Sequence, residues 1–129
     1  MAGKIVLLDT SILIEYYRKT NKANSSWISL IDQGYEFVIS AITKYELYSG
    51  ATKGQMEFWD NIMTSIPIIA FNEACVDTAL NINAILKQKR KQIDLADLFI
   101  GATAVTHDFP IATLNKKHFE RIGQLFIIE

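Results

Sequence analysis

The chain has 129 residues, 50% of them hydrophobic and 21% charged, the profile of one globular domain over 1–129 with a sizeable core. Its single cysteine, Cys75, excludes a disulfide framework and a cysteine-rich zinc site and fits a reducing, cytoplasmic setting; a formal net charge of −1 excludes a surface coated with basic residues for nucleic acid, local patches aside. No apolar run approaches the roughly 20 residues that span a bilayer, so no membrane partner is expected, and the opening MAGKIVLLDT places its apolar residues in a strand rather than a signal core.

KIVLL (residues 4–8) is the first of five short runs rich in Ile, Val and Phe, as in strands buried on both faces of a parallel sheet. It ends at Asp9, before a helical pattern that starts near Ile12. EFVIS (36–40) is the second strand, followed by TKYELYSG (43–50), where Thr43 and Glu46 have the spacing of a capping box. IPIIA (66–70) is the third. In the longest helical pattern Cys75, Ala79, Ile82 and Leu86 recur at spacings of three and four, Asn72 is the N-cap, and KQKRKQ (87–92) forms the last turns, where cations suit the helix dipole. DLADLFIGATA (94–104) is an apolar helix opening on Asp94 and Asp97, with Gly101 and Ala104 allowing close packing. PIAT (110–113) and LFII (125–128) are the fourth and fifth strands, and between them Asn115 leads into a short helix through His118 and Phe119. Strands alternating with helices predict an α/β fold, a central parallel sheet flanked by helices, with ligand chemistry beyond the C-terminal ends of the strands.

An aspartate directly after a buried strand either projects into that crevice or, like Ser11, caps the next helix. Glu46, Asp97 and Asn115 carry the same two readings, and for Asp94 the cap is preferred. Asp97 sits among Leu98, Phe99, Ile100 and Ala102, where an unpaired carboxylate costs several kcal/mol unless a proton or a cation compensates it. Several oxygen donors without a cysteine cluster favour a hard cation, Mg²⁺ or Mn²⁺, over zinc.

The order LLDTSILI, ITKYELYSG, DLADLFIGATA and IATLNKKHF, spread over the whole chain, resembles the PIN-domain ribonucleases, most closely the VapC-type toxins of toxin–antitoxin pairs. The resemblance implies a PIN-like three-layer fold and Mg²⁺- or Mn²⁺-dependent endonucleolytic cleavage of structured RNA, tRNA or rRNA. It also implies a small cognate antitoxin protein and a homodimer. Residue by residue, it makes Asp9, Glu46 and Asp97 the catalytic metal ligands and Thr113 the nearby hydroxyl, while Asn115 stands where many members have a fourth aspartate. Thr10 and Ser11, with Thr113, would support the carboxylates. Lys87, Lys89, Arg90 and Lys91 are phosphate contacts or a solvated helix end; Lys116, Lys117 and YYRKTNK (16–22) are further candidates for RNA binding. Tyr16, Tyr17, Tyr45, Tyr48, Phe58 and Trp59 could line an antitoxin groove. His107 and His118 receive no catalytic part. The alternatives are an RNA-processing PIN nuclease without an antitoxin, a phosphotransfer domain using Asp9, and a non-catalytic interaction module whose acids are all caps.

Overall fold

In the computed structural model, which describes residues 3–128, the chain runs β1 (Ile5–Leu8), α1 (Thr10–Arg18), a 3₁₀ turn (Lys22–Asn24), α2 (Ser26–Asp32), β2 (Glu36–Ser40), α3 (Ala41–Tyr48), α4 (Lys53–Met63), β3 (Ile68–Ile69), α5 (Glu73–Gln88), α6 (Leu95–Thr106), β4 (Ile111–Ala112) and α7 (Lys116–Phe119). The strands form one parallel sheet in the order β3-β2-β1-β4. Alternation along β1 sends its side chains to two cores. Leu7 packs in the cluster that holds Ala79, Ile82 and Leu86 of α5 with Ile100 of α6, and Val6 and Leu8 pack with Ile12 and Leu13 of α1 and Trp27 of α2. Helices therefore cover both faces, which is the expected three-layer α/β arrangement. Among the described residues no helix is long and apolar enough to cross a membrane.

Several elements differ from the sequence reading. The fifth strand, LFII, is reduced to a single parallel bridge, Ile111 with Ile127. β4 is only two residues long, and among the described residues the segment pairs with it only at Ile111, whose amide donates to Phe126 O and whose carbonyl accepts from Ile128 N. The third strand shortens to Ile68–Ile69, since Pro67 has no amide to donate, although its carbonyl still accepts from Ile39 N at 3.1 Å. The first helix starts at Thr10 rather than near Ile12. The Thr43–Glu46 capping box is absent: Ser40 caps α3 by accepting from Ile42 N, and Thr43 lies inside the helix, fully buried. The complete capping box is Thr52 with Gln55, at the start of α4. Asn72 caps α5 as expected, but that helix ends at Gln88; Lys89 is its C-cap and Arg90 takes a left-handed φ of 54°, so the basic run continues into a turn.

The groove-lining aromatics are largely core. Tyr16 meets Trp27 edge-on at 4.8 Å, Tyr17 meets Phe58 at 4.9 Å, and Trp59 is 4% exposed beneath them. Tyr45 alone of the six is strongly exposed, at 71%.

On the other face, α6 approaches α7 and the turn after it closely at Gly101. A Cβ there would lie 2.6 Å from Ile122 Cδ1 and 3.7 Å from the Phe119 ring, and both residues are buried. Alanine is the better helix former by about 1 kcal/mol, but overpacking a filled core costs about 1–3 kcal/mol. Gly101→Ala is expected to destabilise the fold. Ile122→Val, which removes the opposing methyl, costs about 0.5–1.5 kcal/mol alone. Denaturant unfolding of the double variant should then give less than the sum of the two losses; strict additivity would show that the contact does not set the helix spacing.

Candidate active site

The parallel pairing of β1 with β4, Leu8 opposite Ala112, brings the residues that follow each strand side by side. Asp9 N donates to Ala112 O at 2.9 Å, and Thr113 Oγ1 donates to Asp9 Oδ2 at 2.8 Å. Ser11 Oγ donates to the same oxygen at 2.7 Å, whereas the helix-capping bond from Ser11 N is a long 3.4 Å. Asp9 occupies the N-cap position of α1, yet two hydroxyls hold its carboxylate more closely than the helix does. The network continues outward: Leu114 N donates to Ser11 Oγ at 3.0 Å, and Asn115 N to Thr113 Oγ1 at 2.9 Å.

Asp9 is 3% exposed. Burial pushes its pKa above the ordinary aspartate value; the hydrogen bonds from Ser11 and Thr113 pull the other way, and the negative charge of Asp97 adds to the rise. Every hydrogen bond it accepts falls on Oδ2, and Oδ1 accepts none among the described residues.

Asp97 lies in the first turn of α6. Its Oδ2 accepts from Asn115 Nδ2 at 3.3 Å and lies 2.9 Å from His118 Nδ1, which is itself 2.9 Å from Asn115 Nδ2. The Nδ1 atom can donate to Asp97 or accept from Asn115, but not both at once. Neither Asp94 nor Asn115 makes a side-chain cap bond, although each holds an N-cap position. Asp94, Asp97 and His118 each present a ligand atom within 4.8 Å of the others. Neither Asp9 nor Glu46 belongs to that group. Glu46 is exposed on α3, and its Oε1 accepts from Thr10 Oγ1 at 2.6 Å, while Thr10 also bonds the buried Thr43 hydroxyl at 3.0 Å.

Three consecutive residues at the first turn thus serve three directions: Asp9 supplies the buried carboxylate, Thr10 reaches Glu46, and Ser11 ties Asp9 to the loop after β4. Carboxylate oxygens with an imidazole beside them form a donor set able to hold a divalent cation, whose charge would offset the Asp9–Asp97 repulsion.

The sequence reading gives His118 no part. It lies 21 residues from Asp97 in the chain, so no local spacing pairs the two. His107 is exposed and stacks on Phe109 at 5.7 Å. Lys87, Lys89, Arg90 and Lys91 are exposed where α5 turns toward Asp94, and Lys116 and Lys117 are exposed at the start of α7.

The family model for the PIN domain matches residues 6–125. Ribonuclease VapC1 of Methanocaldococcus jannaschii is 36% identical over 120 residues, 92% of this chain and 82% of that protein. The VapBC2 structure from Rickettsia felis, bound to a DNA fragment from its promoter, superposes with a TM-score of 0.84 at 26% identity, over 96% of this chain and 97% of that one. A toxin–antitoxin complex from Klebsiella pneumoniae superposes with a TM-score of 0.72 at 26% identity, over 95% and 99%.

Because its pKa is raised on folding, ionised Asp9 lowers stability as pH rises through its folded pKa, and below the unfolded pKa the cost is gone. Asn keeps an acceptor for Ser11 and Thr113 and replaces the oxygen that accepts nothing. In chelator at neutral pH Asp9→Asn is therefore expected to melt above the wild type, the gap closing as pH falls through the wild-type Asp9 pKa. A variant that melts lower at neutral pH would show that the carboxylate is a net support of the fold.

Proposed function

The chain belongs to the PIN domain family and within it to the VapC proteins, and we propose that it is a Mg²⁺- or Mn²⁺-dependent endoribonuclease, the toxin of a toxin–antitoxin pair. The observation that carries this reading is the like-charged pair of buried Asp9 and half-buried Asp97 at the C-terminal edge of a parallel sheet, with Glu46 tied to the same turn through Thr10. The reading as caps alone is disfavoured: the Asp9 cap bond is long, and Asp94 and Asn115 make none.

Asp9, Glu46 and Asp97 would hold the cation, which supplies Lewis-acid activation of a phosphoryl oxygen and of water. Ser11 and Thr113 immobilise Asp9 Oδ2, and Oδ1, which accepts no hydrogen bond among the described residues, would be available to the cation. Thr10 orients Glu46, and Asn115 with His118 orients Asp97. Attack by water on phosphorus breaks the bond to O3′, so the products carry a 5′-phosphate and a 3′-hydroxyl. Lys87, Lys89, Arg90, Lys91, Lys116 and Lys117 are proposed phosphate contacts on structured RNA such as tRNA or rRNA. A small antitoxin partner follows from the likeness to a toxin–antitoxin complex. A homodimer and a cytoplasmic setting complete the proposal.

Substitutions of residues that only orient metal ligands cost about 10–100-fold, so Asp97→Asn should lower Mg²⁺-dependent cleavage of total RNA by at least that factor while the folded chain still melts cooperatively. Mapping of new 5′ ends reads the loss, and near-normal cleavage by the folded variant would remove Asp97 from the site. Expression without the antitoxin should arrest growth, and harmless expression of active enzyme would favour the RNA-processing alternative.

Asn115→Asp exchanges the amide donor to Asp97 for a further anionic oxygen, and ligand charge strengthens divalent-ion binding. The Mg²⁺ concentration for half-maximal cleavage should fall. Superimposable Mg²⁺ titrations of the two proteins at fixed ionic strength would exclude Asn115 from the metal environment.

A further inference from the structure

Beside the acid cluster a groove of about 560 Å³ runs along one face of α1, lined by Ser11, Ile14, Glu15, Arg18 and Lys19 and bounded across from the helix by Leu114. Residues 11, 14, 15 and 18 have the three- and four-residue spacing of a single helix face, so the groove extends about 10 Å from Ser11 to Arg18. Its inner end belongs to the site, because Ser11 Oγ both donates to Asp9 and accepts from the Leu114 amide. Its outer end carries two exposed cations, Arg18 and Lys19, whose side chains have no ion-pair or hydrogen-bond partner among the described residues. Leu114 is 52% exposed even though its backbone is fixed to Ser11. The one acid in the lining, Glu15, is engaged by the Ser26 amide at 2.7 Å.

Resting on the ribonuclease reading, we propose that this groove is a substrate subsite for the nucleotide next to the scissile phosphate. The base lies against Ile14 and Leu114, and the following phosphate meets Arg18 and Lys19. A nucleotide strand matches the lining in order: a flat apolar face beside the reacting phosphate, then an anion. Base contact with apolar side chains is tolerant of sequence, and guanidinium pairs phosphate through two parallel hydrogen bonds. A polypeptide could use the apolar walls, but its backbone offers no recurring anion to the two cations at the outer end.

The test measures binding rather than cleavage. Asp97→Asn protein, which retains the groove, is titrated against a fluorescein-labelled single-stranded oligoribonucleotide containing a site that the wild type cuts, and anisotropy is followed across a salt series. Adding Arg18→Ala and Lys19→Ala should weaken binding about tenfold and make the slope of log K against log salt shallower by about 0.7 for each phosphate that is no longer neutralised. Glu15→Gln keeps the acceptor for Ser26, removes a negative charge and should tighten binding. Lys4→Ala, at the opposite end of β1, reports net charge alone and should leave the slope unchanged. An Arg18/Lys19 variant that binds like its parent, or a loss matched by Lys4→Ala, overturns the subsite. So does a variant that binds RNA normally but no longer forms a complex with a co-expressed antitoxin, which would give the groove to the protein partner. Wild-type protein that neither binds nor cuts RNA overturns the ribonuclease reading instead.

Discussion

A carboxylate at the buried end of a strand must be held by neighbours that satisfy it without neutralising it, and in this chain two hydroxyls on Asp9 Oδ2 do so. Ser11 comes from the helix that follows β1 and Thr113 from the loop that follows β4, so one oxygen atom ties two crossovers of the sheet together. The remaining capacity of the same hydroxyls is used by the Leu114 and Asn115 amides, which sets the path of the loop into α7. Anything carried by that loop, the Asn115 and His118 contacts with Asp97 included, inherits its position from Asp9.

The second acidic position depends on a different constraint. Asp97 is within reach of His118 and Asn115 only if α6 and α7 pack closely, and Gly101 against Ile122 and Phe119 is where they do so. A helix of small and apolar residues with one acid in its first turn is therefore both a core element and a mounting for charge. The opposite face of the sheet has no such task. There the aromatic rings of α1, α2 and α4 interlock, and α1 is gripped along that side while its other face stays open as the groove.

Repulsion between Asp9 and Asp97 and the burial of Asp9 both work against stability, and neither is needed to build a parallel sheet. Local consistency is broken here, as it often is at functional sites. Glu46 is spared that cost by its exposure, and the Thr10 hydroxyl gives it direction without burying it.

The sequence by itself determined the layered α/β class, the positions of β1 and β2, the cap at Asn72 and the set of residues at the ends of the strands, because apolar runs of strand length and helical periodicity depend on near neighbours alone. It also singled out Asp9, Glu46, Asp97, Thr113 and Asn115 as worth attention. It could not choose between cap and ligand, since Ser, Thr, Asp and Asn are favoured in both settings. Thr43 with Glu46 shows why: their spacing fits a capping box, yet Ser40 takes that task and frees Thr43 to bond Thr10 across 33 residues. The weak edge at residues 125–128, the place of His118 beside Asp97 and the hydroxyl pair on Asp9 were decided only by the tertiary structure. Each is a contact between segments far apart in the chain, and the geometry of such contacts is set by how strands and helices pack, which no local pattern of residues records.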